Sequence, residues 1–209
     1  MSHDFAYDLP DWAPLVLASA KGELRGHLRP LLGLHHFLAR ALSAAKEPTL
    51  FQIRLAWWRQ ELSREQQAED PPPPDPLLAD LRESWQADTG HLLSFLDGWE
   101  GLLGERPVQQ PSSNAYVTAY ANCFALMAGP NEAVDAAAHG ACWAKAELTL
   151  ASFISPTAET ATLPRLSKRL RAIAIIGGLA RRSLGPPVKP MMGDRFSPIV
   201  ALRLSFLGI

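Results

Sequence analysis

Two carboxylates four residues apart on a helix turn to the same face, where they can share a Mg²⁺ ion and hold it against a phosphate group. Asp4 and Asp8 have this spacing. They stand beside Pro10 without a helical frame or a second cluster, so the match is read as coincidence. Glu61, Glu65 and Glu69 repeat the spacing at the polar end of an amphipathic stretch, with Arg64 among them. A solvated face is the expectation there. His35, His36, His91 and His139 have no ligand spacing with one another or with the two cysteines, so no metal centre is expected. Cys123 and Cys142 are too few for a disulfide framework; buried packing in a reducing compartment is expected of both, with Lys145 the one basic neighbour. There is no glycine-rich phosphate loop, nucleophile pattern or nucleic-acid motif. The residues thus offer no catalytic, cofactor-binding or metal set. What they offer for an anion or a protein partner is arginine: Arg54 and Arg59 flanking Trp57 and Trp58, and Arg169, Arg181 and Arg182 near the C-terminal end. For Arg54 and Arg59 a structural ion pair or a snorkelling rim position is the commoner use.

The elements that must position these residues read as helices with punctuation, and no alternating strand pattern stands out. Thr49 and Gln52 form a capping-box pattern after Pro48, which predicts a helix from Thr49 towards Gln67. Leu50, Ile53, Trp57 and Leu62 lie near one face of it, and Leu55 and Trp58 widen that face. So broad an apolar arc predicts a central helix with both tryptophan rings covered. Before it, Asp11 is the expected cap of a short helix with Pro14 in its first turn. A helical region from Gly22 to Ala45 follows, with a break or kink near Arg29 caused by Pro30. After it, the run from Asp70 to Pro76 is a stiff Pro-rich loop inside one domain. Asp75 and Pro76 open the next helix, and Asp88 or Thr89 the one after, with Leu92, Phe95, Leu96 and Trp99. Ser112 and Ser113 are expected to cap a helix that Gly129-Pro130 ends. Asn131 is expected to cap an alanine-rich helix reaching Ser155, whose small residues around Gly140 let backbones approach closely. A basic helix up to Gly185 and a last segment from Ser197 to Ile209 complete roughly eight helices in an all-α bundle forming a single domain.

The composition agrees. In 209 residues, 47% are apolar and 20% charged, which suits one globular core. The net charge is −1, but residues 163–209 hold nine Lys/Arg against the single acid Asp194. Helix C-terminal charge complementarity accounts for such a basic end; the alternative is a surface for an anionic membrane or an acidic partner. The acidic start MSHDFAYDLPDW is not expected to be a signal peptide, and the apolar run from Ala172 to Ala180 is too short to span a bilayer.

The run I-R-L-A-W-W-R-Q-E-L (Ile53 to Leu62) resembles the arginine- and tryptophan-bearing helix of squalene/phytoene synthase-like proteins. The likeness continues through Leu92–Leu103, Tyr120–Gly129, His139–Ala144 and Leu163-Pro164. It implies an isoprenoid-synthase-like all-α fold, cut short at the C-terminus. Active members of that family place two D-x-x-x-D clusters on facing helices. Where the first belongs, this chain has Leu42, Ser43, Ala44 and Ala45; where the second belongs it has Ala151 and Ser155. A trinuclear Mg²⁺ site cannot be built from these. The resemblance therefore implies a non-catalytic assembly or interaction factor, and the motif around Trp57 and Trp58 is most similar to the branch associated with respiratory complex I assembly. It carries the expectation of a protein partner, with an anionic membrane surface or an isoprenoid lipid as further contacts, no nucleic acid, and a cytoplasmic location peripheral to the inner membrane. The alternatives are a prenyl-diphosphate transferase, active alone or as a small subunit and then requiring Mg²⁺, and an isoprenoid- or lipid-binding protein.

Overall fold

The computed structural model describes residues 7–45, 47–65, 73, 75–156, 162–185 and 187–192. Most of the Pro-rich run 70–76 and all of the C-terminal segment expected from Ser197 lie outside the described residues. Among the described residues every regular element is helical. The helices are α1 (Ala13–Leu17), α2 (Gly22–Ala44), α3 (Pro48–Ser63), α4 (Pro76–Trp85), α5 (Thr89–Glu100), α6 (Gln110–Ala128), α7 (Ala133–Leu150) and α8 (Arg171–Leu184). Short 3₁₀ turns precede α5 and α8.

Their packing closes a ring. α1 packs on α2 and α8, α2 on α4, α3 on α4 and α5, α5 on α6, α6 on α7, and α7 on α8. Apolar stripes turned inwards from every helix merge into one core, with Leu28, Leu31, Trp58, Trp85, Phe95, Tyr120, Trp143 and Ile175 among its closed side chains. Close approach on the α7 side depends on glycine. A Cβ on Gly140 would stand 2.6 Å from the Tyr120 carbonyl oxygen, and one on Gly177 would stand 2.2 Å from Nδ1 of His139. At α6's end Gly129 takes φ +72°, a conformation that costs other residues a Cβ clash.

Several starts differ from expectation because the chain uses backbone rather than side-chain caps. α3 begins at Pro48 with Glu47 before it, so the Thr49/Gln52 capping box is not used. A proline at the first helical position supplies the right φ and has no N–H to satisfy. α1 starts after Trp12 instead of being capped by Asp11. Ser112 and Ser113 fall inside the first turn of α6, which follows Gln109, and α7 follows Glu132 rather than Asn131. α7 also stops at Leu150, short of Ser155. Asp75 behaves as expected: its Oδ1 accepts from the N–H of Leu77 (2.8 Å) and of Leu78 (3.2 Å), ahead of Pro76. Pro30 does not break α2, which runs on through it. Buried leucines on both sides of the proline, Leu24, Leu28, Leu32, Leu34 and Leu38, hold the helix together. Their combined burial exceeds the roughly 3 kcal/mol that an interior proline costs.

Candidate functional site

The centre of the ring is a hydrogen-bonded cluster packed among aromatic rings. His35 reaches in from α2, Trp99 from α5, Tyr116 and Tyr120 from α6, and Trp143 and Glu147 from α7. Residues 116 and 120, like 143 and 147, are i, i+4 pairs, so each helix presents both members to the same point. Nδ1 of His35 lies 2.7 Å from the Tyr120 hydroxyl, and the Tyr120 and Tyr116 hydroxyls are 2.7 Å apart. Trp143 Nε1–H donates to Glu147 Oε1 at 3.0 Å, while Glu147 Oε2 is 3.8 Å from His35 Nε2. Ring centroids of His35 and Trp143 are 4.7 Å apart, and those of Tyr120 and Trp143 4.9 Å. A proton on Nε2 of His35 lets Tyr120 O–H donate to Nδ1 and Tyr116 O–H donate to Tyr120, while the Trp99 indole N–H is buried without a hydrogen-bond partner among the described residues.

Electrostatically the cluster is held neutral. Burial pushes His35 down to about 3, helped by His36 next to it. It pushes Glu147 up to about 7, although the indole bond from Trp143 pulls the other way. The His35–Glu147 distance would suit an ion pair, yet burial penalises both charges and the contact is one between neutral groups below pH 7. A quarter of the Glu147 side chain remains open to solvent, which is the route by which it titrates. Both tyrosines are raised well above 10 by burial, and burial pushes the Cys123 thiol up to about 12. A cluster of this kind offers hydrogen bonds and one titration near neutrality, but no activated nucleophile.

Glu147 and the two tyrosines were not singled out by sequence reasoning. The available signal was an acid four residues after Trp143 in the alanine-rich second half of α7. Of the positions at which the resemblance would place carboxylates, Leu42 and Ala45 pack against the core and the others are exposed. Ser43 and Ala44 are exposed at the end of α2, where Ser43 Oγ–H donates to the Ala39 carbonyl, and Ala151 lies beyond α7 and is exposed. Among the described residues no three His, Cys, Asp or Glu side chains gather as metal ligands.

The arginines are not brought together, and they divide in use. Arg59 is clamped by Asp97 and Glu100 of α5, each 2.7 Å from Nη2. Burial works against its charge, but these two carboxylates raise its pKa on balance. Arg169 donates to the Ala128 carbonyl at the end of α6 and lies 3.4 Å from Glu132, whose own carboxyl is held down by hydrogen bonds from Ser167. Arg181 and Arg182 sit in the last turn of α8, where cations suit the helix dipole. Arg54 is exposed and forms no ion pair among the described residues. One expectation about a neighbour needs correction. Glu61 is not on a solvated face: Arg82 of α4 holds it at 3.0 Å, because α4 packs over that end of α3. Asp8 is engaged by Arg40 at 2.5 Å, while Asp4 and Glu69 lie outside the described residues. Cys123 is buried as expected, Cys142 only partly.

The largest departure is at α3. Its buried stripe is Phe51, Leu55, Trp58 and Leu62, while Leu50, Ile53 and Trp57 point outwards at 52%, 61% and 40% exposure. Expected and observed stripes share Leu62, but with α4 and α5 packed on one side and Phe37 of α2 touching Trp58, the helix buries the Leu55 and Trp58 side and its wide apolar arc leaves a remainder. Trp58 is 1% exposed and Trp57 stands edge-on to it, ring centroids 5.1 Å apart. Beside this face a groove of about 410 Å³ opens between α2, α3 and the start of α4, lined by Gly33, His36, Phe37, Ala44, Arg54 and Leu77 among others.

No helix among the described residues is long and apolar enough to cross a membrane. No family model, no curated protein and no solved structure matches the chain, so the reading of these sites rests on their geometry and on the sequence.

Proposed function

We propose that this protein is a non-catalytic interaction factor on an isoprenoid-synthase-like helical ring. The observation that carries this reading is the filled centre. Where a prenyl-diphosphate transferase needs a chamber for two isoprenoid chains and carboxylates for Mg²⁺, the ring holds Trp99, Tyr116, Tyr120 and Trp143 against His35. The one acid there, Glu147, is pushed towards its neutral form, the opposite of what a Mg²⁺ ligand requires. The finer form of the proposal is assembly of respiratory complex I, supported by the likeness of Ile53–Leu62 to the branch of squalene/phytoene synthase-like proteins associated with that task.

Two experiments test it. The purified, folded protein is incubated with farnesyl and geranylgeranyl diphosphate and Mg²⁺ beside an active synthase; no pyrophosphate release is expected, and turnover near the control rate overturns the non-catalytic reading. For the finer form, the gene is deleted in its host and assembled complex I is followed on native gels. Loss of the complex, restored by the wild-type gene, is expected; an unchanged complex removes that form.

A further inference from the structure

The outward side of α3 has the composition of a binding surface and, among the described residues, no helix packed over it. Of the five large apolar side chains exposed among the described residues, four gather here: Leu50, Ile53 and Trp57 on α3 and Phe37 on α2; Val134 is the other. Spacings of three and four residues line up Leu50, Ile53 and Trp57 as a ridge about 10 Å long, two helical turns. The ridge is held in place from below: Trp57 and Phe37 both lie edge-on to the closed Trp58 ring, at 5.1 and 5.6 Å. Beside it runs the 410 Å³ groove, a concavity of the size that accepts side chains from a partner element.

Charge says what kind of element fits. Among the charged groups lining the groove, Asp8 is bound to Arg40 and Asp75 is used to cap α4. His36 is held towards neutral by burial and by Arg40. Arg54, midway along the ridge, is left with its charge uncompensated among the described residues. An apolar ridge with one unanswered cation is complementary to an apolar stripe with a carboxylate. It is poorly matched to an anionic bilayer, which is drawn to clusters of several basic residues, whereas Arg40 is bound to Asp8 and Arg54 stands as a single cation. It is also poorly matched to a second copy, since apposing two ridges through Ile53 would bring two Arg54 side chains together.

Resting on the non-catalytic reading above, we propose that Leu50, Ile53, Arg54, Trp57 and Phe37 dock an amphipathic, acid-bearing helix of a partner protein, its apolar residues meeting the ridge and groove and its carboxylate meeting Arg54.

The test uses the full chain and two synthetic amphipathic peptides with the same leucine and isoleucine stripe, one carrying glutamates on its flanks and the other lysines. Binding is read from Trp fluorescence and peptide anisotropy at low salt. The glutamate peptide is expected to bind at least about ten times more tightly than the lysine peptide. Arg54→Glu is expected to invert that preference, and Ile53→Ser and Trp57→Ser to abolish binding while circular dichroism and melting stay as in the wild type. Equal binding of the two peptides, or a preference that survives Arg54→Glu, overturns the proposal. So does tighter binding to phosphatidylglycerol vesicles than to either peptide, or a dimer that Ile53→Ser dissolves. These outcomes are separable from failure of the broader reading: prenyl-diphosphate turnover sinks that reading whatever the peptides do, and a folded, silent protein without charge preference sinks only the docking surface.

Discussion

The two sides of α3 carry similar residues to opposite ends. Each side has a tryptophan, branched aliphatic side chains and an arginine. On the inner side Trp58 is sealed and Arg59 is held by Asp97 and Glu100; on the outer side Trp57 and Ile53 are in solvent and Arg54 has no carboxylate among the described residues. The difference arises from neighbours. α4 and α5 pack on the inner side of the helix, and a residue's contribution to stability is decided by whether something packs on it rather than by its type. The inner side therefore stabilises the fold, and the outer side is free to be selected for recognition.

The widest gap should appear between the tryptophans. Trp58→Ala is expected to lower stability by about 3–5 kcal/mol in urea unfolding at constant m-value, and Trp57→Ala to change it by less than about 0.5 kcal/mol. Equal losses would erase the distinction. Trp58→Phe should cost less than Trp58→Ala, since it keeps most of the volume and removes an indole N–H that is buried without a hydrogen-bond partner among the described residues.

Next in size is a titration inside the ring. A carboxyl whose folded pKa is raised binds a proton more readily when folded, so its stabilising share is complete below the unfolded value near 4.5 and is lost as pH climbs through about 7. His35 works in the other sense. Its folded pKa is depressed from 6.5 to about 3, so stability falls as pH drops below 6.5. The two slopes oppose each other between pH 4.5 and 6.5 and give a plateau there. Glu147→Gln, which keeps an oxygen to accept the Trp143 N–H, is expected to raise stability at pH 8 by up to about 3 kcal/mol and to leave it almost unchanged at pH 4.5. Melting curves for both proteins across this range check it; a gain of the same size at both pH values would show that Glu147 is not titrating.

Smaller again is the arginine pair. Arg59→Ala is expected to cost about 1 kcal/mol, because its carboxylate partners are half open to water, and Arg54→Ala close to nothing. A high-salt melt should narrow that gap by screening Arg59's pairs. Smallest of all on stability is Ile53→Ser, expected to leave urea midpoints within error. A clear loss of stability there would mean that the outer side is packed against something.

Helix content was legible because each segment carries its own periodicity and punctuation. Asp75-Pro76 opens α4 and Gly129-Pro130 closes α6 as local chemistry dictates. Gly140 could be flagged for close packing because only a missing side chain lets α6 come so near. Elsewhere local rules gave way. Pro30 does not break α2, since core leucines on both flanks outweigh one lost hydrogen bond. Thr49, Ser112, Ser113 and Asn131 looked like caps, yet these helices begin a residue or more away, after residues that make no side-chain cap. The central cluster was illegible: His35 and Tyr120 lie 85 residues apart, and no pattern along the chain announces that they meet.

By itself, then, the sequence determined that the chain is helical, where most helices lie, and that its C-terminal quarter is basic. Those properties are local or compositional, and need no neighbours to be expressed. Only the tertiary structure decided which half of α3 is buried, that Arg59 is structural while Arg54 faces solvent, and that Glu147 becomes a carboxyl with a pKa near 7. Each of these depends on what packs against a residue, and the free energy of a side chain in a fold is set by the groups that replace its water.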